Sequence, residues 1–543
     1  MRIVTPDEMR ALEARYMADS GITSARLMGR AADGLLKAAI ALMGRDEWPP
    51  REMNIPSETA RLIGLTAIVC CGPGANGGDG WALAWRLCDM HCAVAVLTVG
   101  EPQPGSAAHD NYLKCLKAGR AIRIIDLKQV GLDGCEDGGQ ILAQMKATLG
   151  DGIARAQLCV DAMFGTGFAR AMSGAYLGMA RMMRTMRGGG ARVLAVDVPS
   201  GLSGLTGEDM GACPADATVS FQFLKRGQLL KAGQDLCGRL ICHDIGIPER
   251  YAPEDAPTYV QADDVSLPRR RHDSHKGTYG HLLMIAGSTE YAGAALMAVS
   301  AALRAGAGLV SAACVRDIRQ LIQLRAPEAM AMKATDADVL DEAAVERIVA
   351  ALPGKTALAV GPGLTRRAAP EVIALALCSG LPAVVDADAL NIISEHTELR
   401  GKLNKNHVLT PHPGEMARLL GRACGDPVED ARMLAKECGC VVLLKGCATC
   451  ISDGERAYMM NPGTPGMACG GSGDVLTGVI GALLAQGMEP VKAAVYGAML
   501  HGRAGALAQE KLGEYSMNAG DIIDGLPGAF MEADGAVRAS ADC

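Results

Sequence analysis

Leu65-Thr-Ala-Ile-Val-Cys-Cys71 is an apolar run of strand length; Gly72-Pro-Gly-Ala-Asn-Gly-Gly-Asp-Gly80 ends it, and Trp81-Ala-Leu-Ala-Trp-Arg-Leu-Cys-Asp-Met90 resumes at helical spacing. Strand, glycine-rich loop and helix in that order are the repeating unit of a parallel sheet covered by helices. The pattern recurs downstream. Ala93 to Val99, Gln157 to Ala162 and Arg192 to Val198 read as strands, the last two running into glycine-containing loops. Prolines 248, 253, 257 and 268, with several acids and Arg269-Arg-Arg271, suit a linker over residues 249–271. Beyond it the alternation resumes at His281 to Ala286, Leu309 to Cys314, Ala357 to Val360, Pro382 to Val385, His407 to Leu409 and Cys440 to Leu444, with a helix over Ala294 to Ala305. The reading is α/β with two domains, 1–248 and 272–530, and a tail at 531–543.

Composition narrows the function. The chain has 543 residues, too many for one core. A net charge of −7 argues against a nucleic-acid surface, and 3% aromatics against a base-stacking platform. No apolar run approaches the length of a membrane span. The 19 cysteines show no disulfide spacing, and many sit inside apolar runs. Met1-Arg-Ile-Val-Thr-Pro is not a signal peptide, so a reducing cytoplasm is expected. Cys447-Ala-Thr-Cys450 has CxxC spacing without a second pair and reads as strand cysteines.

Ligands of such sheets bind at the carboxyl ends of strands, and there the chemistry-bearing residues fall. In the first half three strand-end loops present Asn76, Asp161, Asp197 and Ser200. Each loop alone is ordinary turn and capping chemistry. Together they make a set of hard oxygen donors suited to an alkali or alkaline-earth cation. In the second half, Asn461-Pro-Gly-Thr-Pro-Gly-Met-Ala-Cys-Gly-Gly-Ser-Gly-Asp474 precedes the apolar helical run Val475 to Gln486. Backbone amides at a helix start form an anion site. An aspartate there repels a phosphate unless it accepts the proton of a hydroxyl that attacks it, so the segment points to phosphoryl transfer to an alcohol. His275-Lys-Gly-Thr-Tyr-Gly280, Gly361-Pro-Gly-Leu364, Asp386-Ala-Asp-Ala-Leu-Asn391, Thr410-Pro-His-Pro-Gly-Glu415 and Leu444-Lys-Gly-Cys-Ala-Thr449 lead up to it.

The first-half motifs resemble the NAD(P)H-hydrate epimerase, or YjeF N-terminal, domain from Met1 to Pro248. The resemblance implies a Rossmann-like sheet, a bound potassium ion and interconversion of the C6 epimers of hydrated NADH and NADPH. It places potassium on Asn76, Asp161 and Ser200. Substrate would lie on Ala75, Asn76, Gly77, Gly78 and Asp79, on Gly165, Thr166, Gly167, Phe168, Ala169, Arg170 and Ala171, and on Asp197, the proton acceptor. Lys225 is placed either in that pocket or at the surface. The chain departs from the family at Ala75, where an asparagine is usual, and at Leu27-Met-Gly-Arg-Ala-Ala32, where Leu-Met-Glu-Asn-Ala-Gly is usual.

From Val265 to Pro527 the motifs resemble the ADP-dependent NAD(P)H-hydrate dehydratases, implying a ribokinase-like α/β sandwich. Cys469 stands where threonine is commoner. The implied reaction removes water from the S epimer of NADHX or NADPHX at the expense of ADP, giving AMP and phosphate, with Mg2+ helping to neutralise the phosphates. Ala294, Gly363, His412 and Asp474 would contact the hydrated nucleotide; Lys445, Gly446, Cys447, Ala448, Thr449 and Gly473 would hold the adenine nucleotide. Both families imply self-association. Two other readings stay open: a ribokinase-like kinase for a vitamin hydroxymethyl group, and a first domain that serves as a binding scaffold.

Overall fold

The structure is a computed structural model that describes residues 1–44, Leu62 and 64–541. It divides into two compact units, Met1–Ala256 and Pro257–Cys543.

The first unit is built on seven strands: β2 (Thr66–Cys71), β3 (Ala93–Thr98), β4 (Ile122–Asp126), β5 (Leu158–Ala162), β6 (Arg192–Val196), β7 (Ala217–Phe221) and β9 (Arg239–His243). All pair in parallel, in the order β4-β3-β2-β5-β6-β7-β9. The central strands read as continuous apolar runs because both faces are covered. Ala67, Val69 and Cys71 join one core, whereas Ile68 and Cys70 join the other, as the period of two requires. The order reverses direction between β2 and β5, so the crevice at their carboxyl ends is where a ligand is expected. A separate parallel pair, β1 (Ile3–Val4) with β8 (Leu224–Lys225), brings the chain start alongside Lys225. It leads into helix α1 (Pro6–Ser20), which Thr5 and Glu8 close with a capping box and Pro6 opens. Helix α2 (Ser24–Leu42) follows.

The glycine-rich segment after β2 is more helical than its composition suggests: helix α3 runs Ala75–Asp89 and takes in most of it. Its glycines are there for close approach. A methyl on Gly77 would sit 1.9 Å from the Gly72 carbonyl oxygen, and one on Gly80 2.5 Å from Ala162 Cβ.

The second unit has one sheet of ten strands. Along the chain they are β10 (Thr258–Tyr259), β11 (His281–Ile285), β12 (Leu309–Val315), β13 (Met330–Thr335), β14 (Ala357–Val360), β15 (Ala383–Val385), β16 (His407–Leu409), β17 (Val441–Leu444), β18 (Thr449–Ser452) and β19 (Ala457–Met460). Their order is β10-β19-β18-β17-β16-β15-β14-β11-β12-β13, parallel except where β18 pairs antiparallel with β17 and β19. The direction reverses between β11 and β14, where Gly287 N donates to the Pro362 carbonyl at 2.8 Å. Residues 249–271, expected to be a linker, are more than that. Thr258–Tyr259 is the edge strand β10, and the Val260 amide continues the ladder to Met459 O. At the other end, the helix Ala519–Ala541 runs through Pro527 and over most of the residues read as a tail; the last two lie outside the described residues.

Candidate active sites at the strand ends

In the first unit, Asp161 closes β5 and is wholly buried. Its Oδ2 accepts from Ser200 N at 2.8 Å, and its Oδ1 accepts from Ser200 Oγ and from Met163 N at 3.3 Å. Burial pushes its carboxyl up to about 6, against the lowering effect of those bonds. Asn76 stands across from it on the first turn of α3. A methyl on Gly165 would come within 3.1 Å of Asn76 Oδ1, and the buried Asn76 Nδ2 has no partner among the described residues. Phe164 N donates to Ser200 Oγ at 2.8 Å, so Asp161 and Ser200 are tied to the loop whose Gly165 abuts Asn76.

Asp197 follows β6 with φ of +62°, a conformation aspartate tolerates better than most residues. Its Oδ1 accepts from Lys225 Nζ and from Phe221 N at 3.2 Å, and Gln228 Nε2 donates to its carbonyl at 2.6 Å. Lys225 is fully buried, which excludes the surface position; its ammonium also donates to Ser220 Oγ and the Phe221 carbonyl, each at 3.2 Å. A buried ammonium needs this many acceptors to compensate its lost water. Two further carboxyls face the pair. Asp79 is pushed well above the ordinary carboxylate range by burial, then by Asp197 and Glu13. Glu13, on α1, is pushed up to about 7 by burial and then by Asp197. The rest of the loop after β5 runs outward: Phe168 stacks on Phe164 with ring centres 4.3 Å apart, and Ala169, Arg170 and Ala171 are exposed.

The departure at Gly29-Arg30 lies off this cluster. Gly29 O accepts from Arg86, and Arg30 donates to the Ile245 carbonyl at 2.7 Å. Met28 and Ala32 of that motif pack on α3: both share a small core with Ala82, and Met28 lies 2.6 Å from where a Gly78 methyl would stand.

In the second unit the centre is Lys445, which follows β17. Its Nζ donates to Asp386 Oδ1 at 2.8 Å and lies 3.9 Å from Glu415 Oε2. Burial lowers its affinity for the proton, but Asp386, Glu415 and Asp474 more than offset that and leave it above its ordinary value. Asp386, 1% exposed, also accepts from Thr477 Oγ1 at 2.7 Å. Asp474, on the first turn of the helix Ser472–Ala485, is pushed up to about 7 by burial and then by the charge of Asp386. Gly471 opens that helix at φ +93°, and a methyl on Gly473 would rest 3.4 Å from Lys445 Nζ. Lys445 and Gly473 thus stand together beside Asp474.

Ala294 and Gly363 are likewise brought together, since a methyl on Gly363 would lie 3.0 Å from Ala294 Cβ. His412 caps the helix Pro413–Leu420: its Nδ1 accepts from Gly414 N at 3.0 Å, while its own amide donates to Glu415 Oε2 at 2.8 Å. Burial, with Lys445 and Arg418 nearby, lowers its pKa, so it is neutral with one ring nitrogen already used. Gly446 and Cys447 turn the chain between β17 and β18, with Cys447 exposed; Ala448 and Thr449 are buried at the start of β18.

Sequence reasoning left several participants without a role. Asp386 and Asp388 were singled out as carboxylates, yet nothing in the sequence showed that Asp386 would pair with a lysine 59 positions away. Glu13 gave no signal, because it is one polar residue among many on a helix. Among the described residues, no group of three or more His, Cys, Asp or Glu side chains could hold a metal ion, and no helix is long and apolar enough to cross a membrane.

Residues 24–227 match the family model described as YjeF-related protein N-terminus, and residues 282–528 match that described as NAD(P)H-hydrate dehydratase. The bifunctional NAD(P)H-hydrate repair enzyme Nnr of Thermofilum pendens is 34% identical over 98% of this chain and 96% of its own length. The enzyme of the same name from Moorella thermoacetica is 37% identical over 85% and 86%, and that of Escherichia coli 32% over 84% of each. A solved ADP/ATP-dependent NAD(P)H-hydrate dehydratase from Bacillus subtilis, co-crystallised with ATP and Mg2+, is 28% identical over 51% of this chain and 99% of its own, at a TM-score of 0.44. With relatives of one description spanning nearly its full length, this chain belongs to the bifunctional NAD(P)H-hydrate repair enzymes, an epimerase domain followed by a dehydratase domain.

Proposed function

We propose that Asp197 and Asp474 are the proton-accepting groups of the two domains, the first interconverting (R)- and (S)-NAD(P)HX and the second dehydrating the S form with ADP. The observation that carries the reading is that each aspartate lies at the carboxyl end of its sheet beside a lysine, Lys225 fully buried and Lys445 half-buried. In the dehydratase domain Asp474 takes the proton of the C6 hydroxyl. The hydroxyl oxygen takes the terminal phosphoryl of ADP, AMP leaves, and loss of phosphate with a C5 proton restores the dihydronicotinamide ring. Lys445 and the amides of Gly470 to Gly473 face the developing phosphate charge. Mg2+ would come with the nucleotide's phosphates.

In the epimerase domain the donor set fits potassium. Asn76, Asp161 and Ser200 offer only hard oxygens, and Gly165 leaves room beside Asn76 that a side chain would fill. A potassium ion there would offset the charge of buried Asp161 and hold the loops after β2 and β5 together. The reading extends to self-association and a cytoplasmic setting, in keeping with its family.

The test is recovery of absorbance at 340 nm from mixed (R)- and (S)-NADPHX with ADP or ATP. Full ADP-dependent recovery is expected, abolished by Asp474→Asn and limited to the S fraction plus uncatalysed epimerisation by Asp197→Ala. No recovery with either nucleotide would overturn the reading.

A further inference from the structure

Glu13 lies in no motif of either domain. Helix α1 is tied down by β1, whose Val4 pairs with Lys225, and its first turns lie on the loops after β5 and β6. A methyl on Gly204 would stand 3.1 Å from Pro6 Cγ and 3.9 Å from Thr166 Cα, and one on Gly167 3.9 Å from Arg10 Nη1. Pro6, Arg10 and Glu13 share one face of the helix by their spacing. Glu13 is the next residue along the face that rests on the Thr166-Gly167 loop, where the charges of Asp197 and Lys225 act on it and it acts in turn on Asp79. Glu13 is half-buried and makes no hydrogen bond or ion pair among the described residues. Asp79 is 8% exposed and equally unpartnered among them. A carboxyl left without a partner beside an ion pair is a group positioned for something that arrives.

We propose that Glu13 is the general acid of the epimerase site, working opposite Asp197. This inference rests on the placement of that site around Asp197. Carbon 6 of NAD(P)HX bears both the hydroxyl and the ring nitrogen N1, so it inverts if the C6–N1 bond opens. Asp197 takes the hydroxyl proton, and the O–H electron pair becomes the second bond of a C6 carbonyl. The C6–N1 pair stays on N1, which takes the Glu13 proton. Rotation about C5–C6 turns the other face of the carbonyl to N1, and the reverse transfers close the ring in the opposite configuration. No oxidant, reductant or nucleotide is consumed.

The electrostatics agree with this division of labour. One ammonium, Lys225, faces three carboxyls, and Asp197 holds it. Burial and the neighbouring Asp197 then keep the Glu13 proton on up to about pH 7, so it can be given up near neutrality. The groups facing Glu13 are Asp79 from α3, Asp197 after β6 and Lys225 from β8, with Arg10 one turn earlier on its own helix.

The test uses the full chain with mixed (R)- and (S)-NADPHX and saturating ADP. Recovery at 340 nm then has a fast phase from the S form and a slow phase limited by epimerisation. Glu13→Gln is expected to slow the second phase by about 100-fold or more, leave the fast phase unchanged, and remove the fall in epimerisation rate as pH rises through about 7. In Glu13→Ala, added imidazolium is expected to restore the slow phase in proportion to its concentration, which a merely structural defect would not allow. If Glu13→Gln keeps the slow phase within about threefold of wild type while Asp197→Asn loses it, Glu13 is not the acid. Loss in Glu13→Gln with no imidazolium rescue in Glu13→Ala and an unchanged pH profile also overturns the proposal. If neither variant slows that phase, the placement of the epimerase site itself has failed.

Discussion

The two units solve a similar electrostatic problem and put the answer to opposite uses. Each has a lysine paired with an aspartate at its strand ends, and in each a nearby carboxyl is pushed up to about 7: Glu13 in the first, Asp474 in the second. In the role proposed for it in the dehydratase domain, that carboxyl must lose its proton to act, because it would receive one from a hydroxyl. In the role proposed in the epimerase domain, it must keep its proton, because it would give one away. The same shift therefore makes one activity climb and the other fall as pH crosses neutrality. Burial sets where a carboxyl titrates, and the role of the group decides what the titration does to the rate.

The largest expected effect separates the units outright. Asp474→Asn should reduce ADP-dependent recovery at 340 nm by roughly a thousandfold or more, while NMR exchange between the R and S signals persists at the wild-type rate. Loss of both activities would mean that the two sites are not independent.

Next comes the depth of the two lysines. Lys225 is wholly sealed, whereas the Lys445 side chain is 22% exposed. Removing one partner of a sealed pair leaves an uncompensated charge that costs ~4 kcal/mol, and water that reaches the remaining partner lessens the cost. Lys225→Met should therefore destabilise the first unit by ~4 kcal/mol, and Lys445→Met the second by ~2 kcal/mol, as read from the urea transitions of the two units. Equal losses would show that exposure does not distinguish the two sites.

A third effect sets stability against catalysis. Asp474 and Glu415 both hold their protons up to about 7 in the folded chain, against the ordinary value near 4 when unfolded. Between those values the unfolded state has released protons that the folded state keeps, so the second unit should lose stability as pH rises from about 4 to about 7. Dehydration should speed up as Asp474 ionises, toward the upper end of that window. Asp474→Asn removes part of the penalty and should stabilise the unit by ~2 kcal/mol at pH 8, while inactivating it. A variant no more stable than wild type at pH 8 would show that the raised value is not a cost of burial.

The units also differ in what their sequences disclosed. Strand-end alternation made both folds legible, since fully covered strands read as apolar runs and their glycines mark where chain approaches chain. In the second unit Asp386, His412, Glu415, Lys445 and Asp474 all lie inside motifs visible along the chain. In the first, the loops with Asn76, Asp161, Asp197 and Ser200 were visible and Lys225 was a pocket candidate, but its burial against Asp197 and the approach of Glu13 were not. Lys225 reaches Asp197 from a two-residue strand paired with the chain start, and Glu13 from the helix that follows. Those approaches are set by tertiary pairing, which leaves no period or composition bias to read. The same cause hid the edge strand β10, two residues long and recruited only by β19.

The smallest expected effect concerns the departure at Gly29-Arg30. By composition it alters a motif beside the epimerase site, and a family-typical pair would be expected to improve the reaction. The geometry argues otherwise. Arg30 reaches away to the Ile245 carbonyl, and a methyl on Gly246 would fall 2.0 Å from its guanidinium, so the side chain is packed as a clamp on the turn after β9. Met28 and Ala32 are the residues of the motif that pack on Ala82 of α3, and Arg30 is not among them. Arg30→Asn should therefore cost the first unit ~1 kcal/mol for the lost hydrogen bond, seen as an earlier urea midpoint, and change the epimerisation rate by less than about twofold. A faster slow phase in this variant would mean that Arg30 acts on the site through α2.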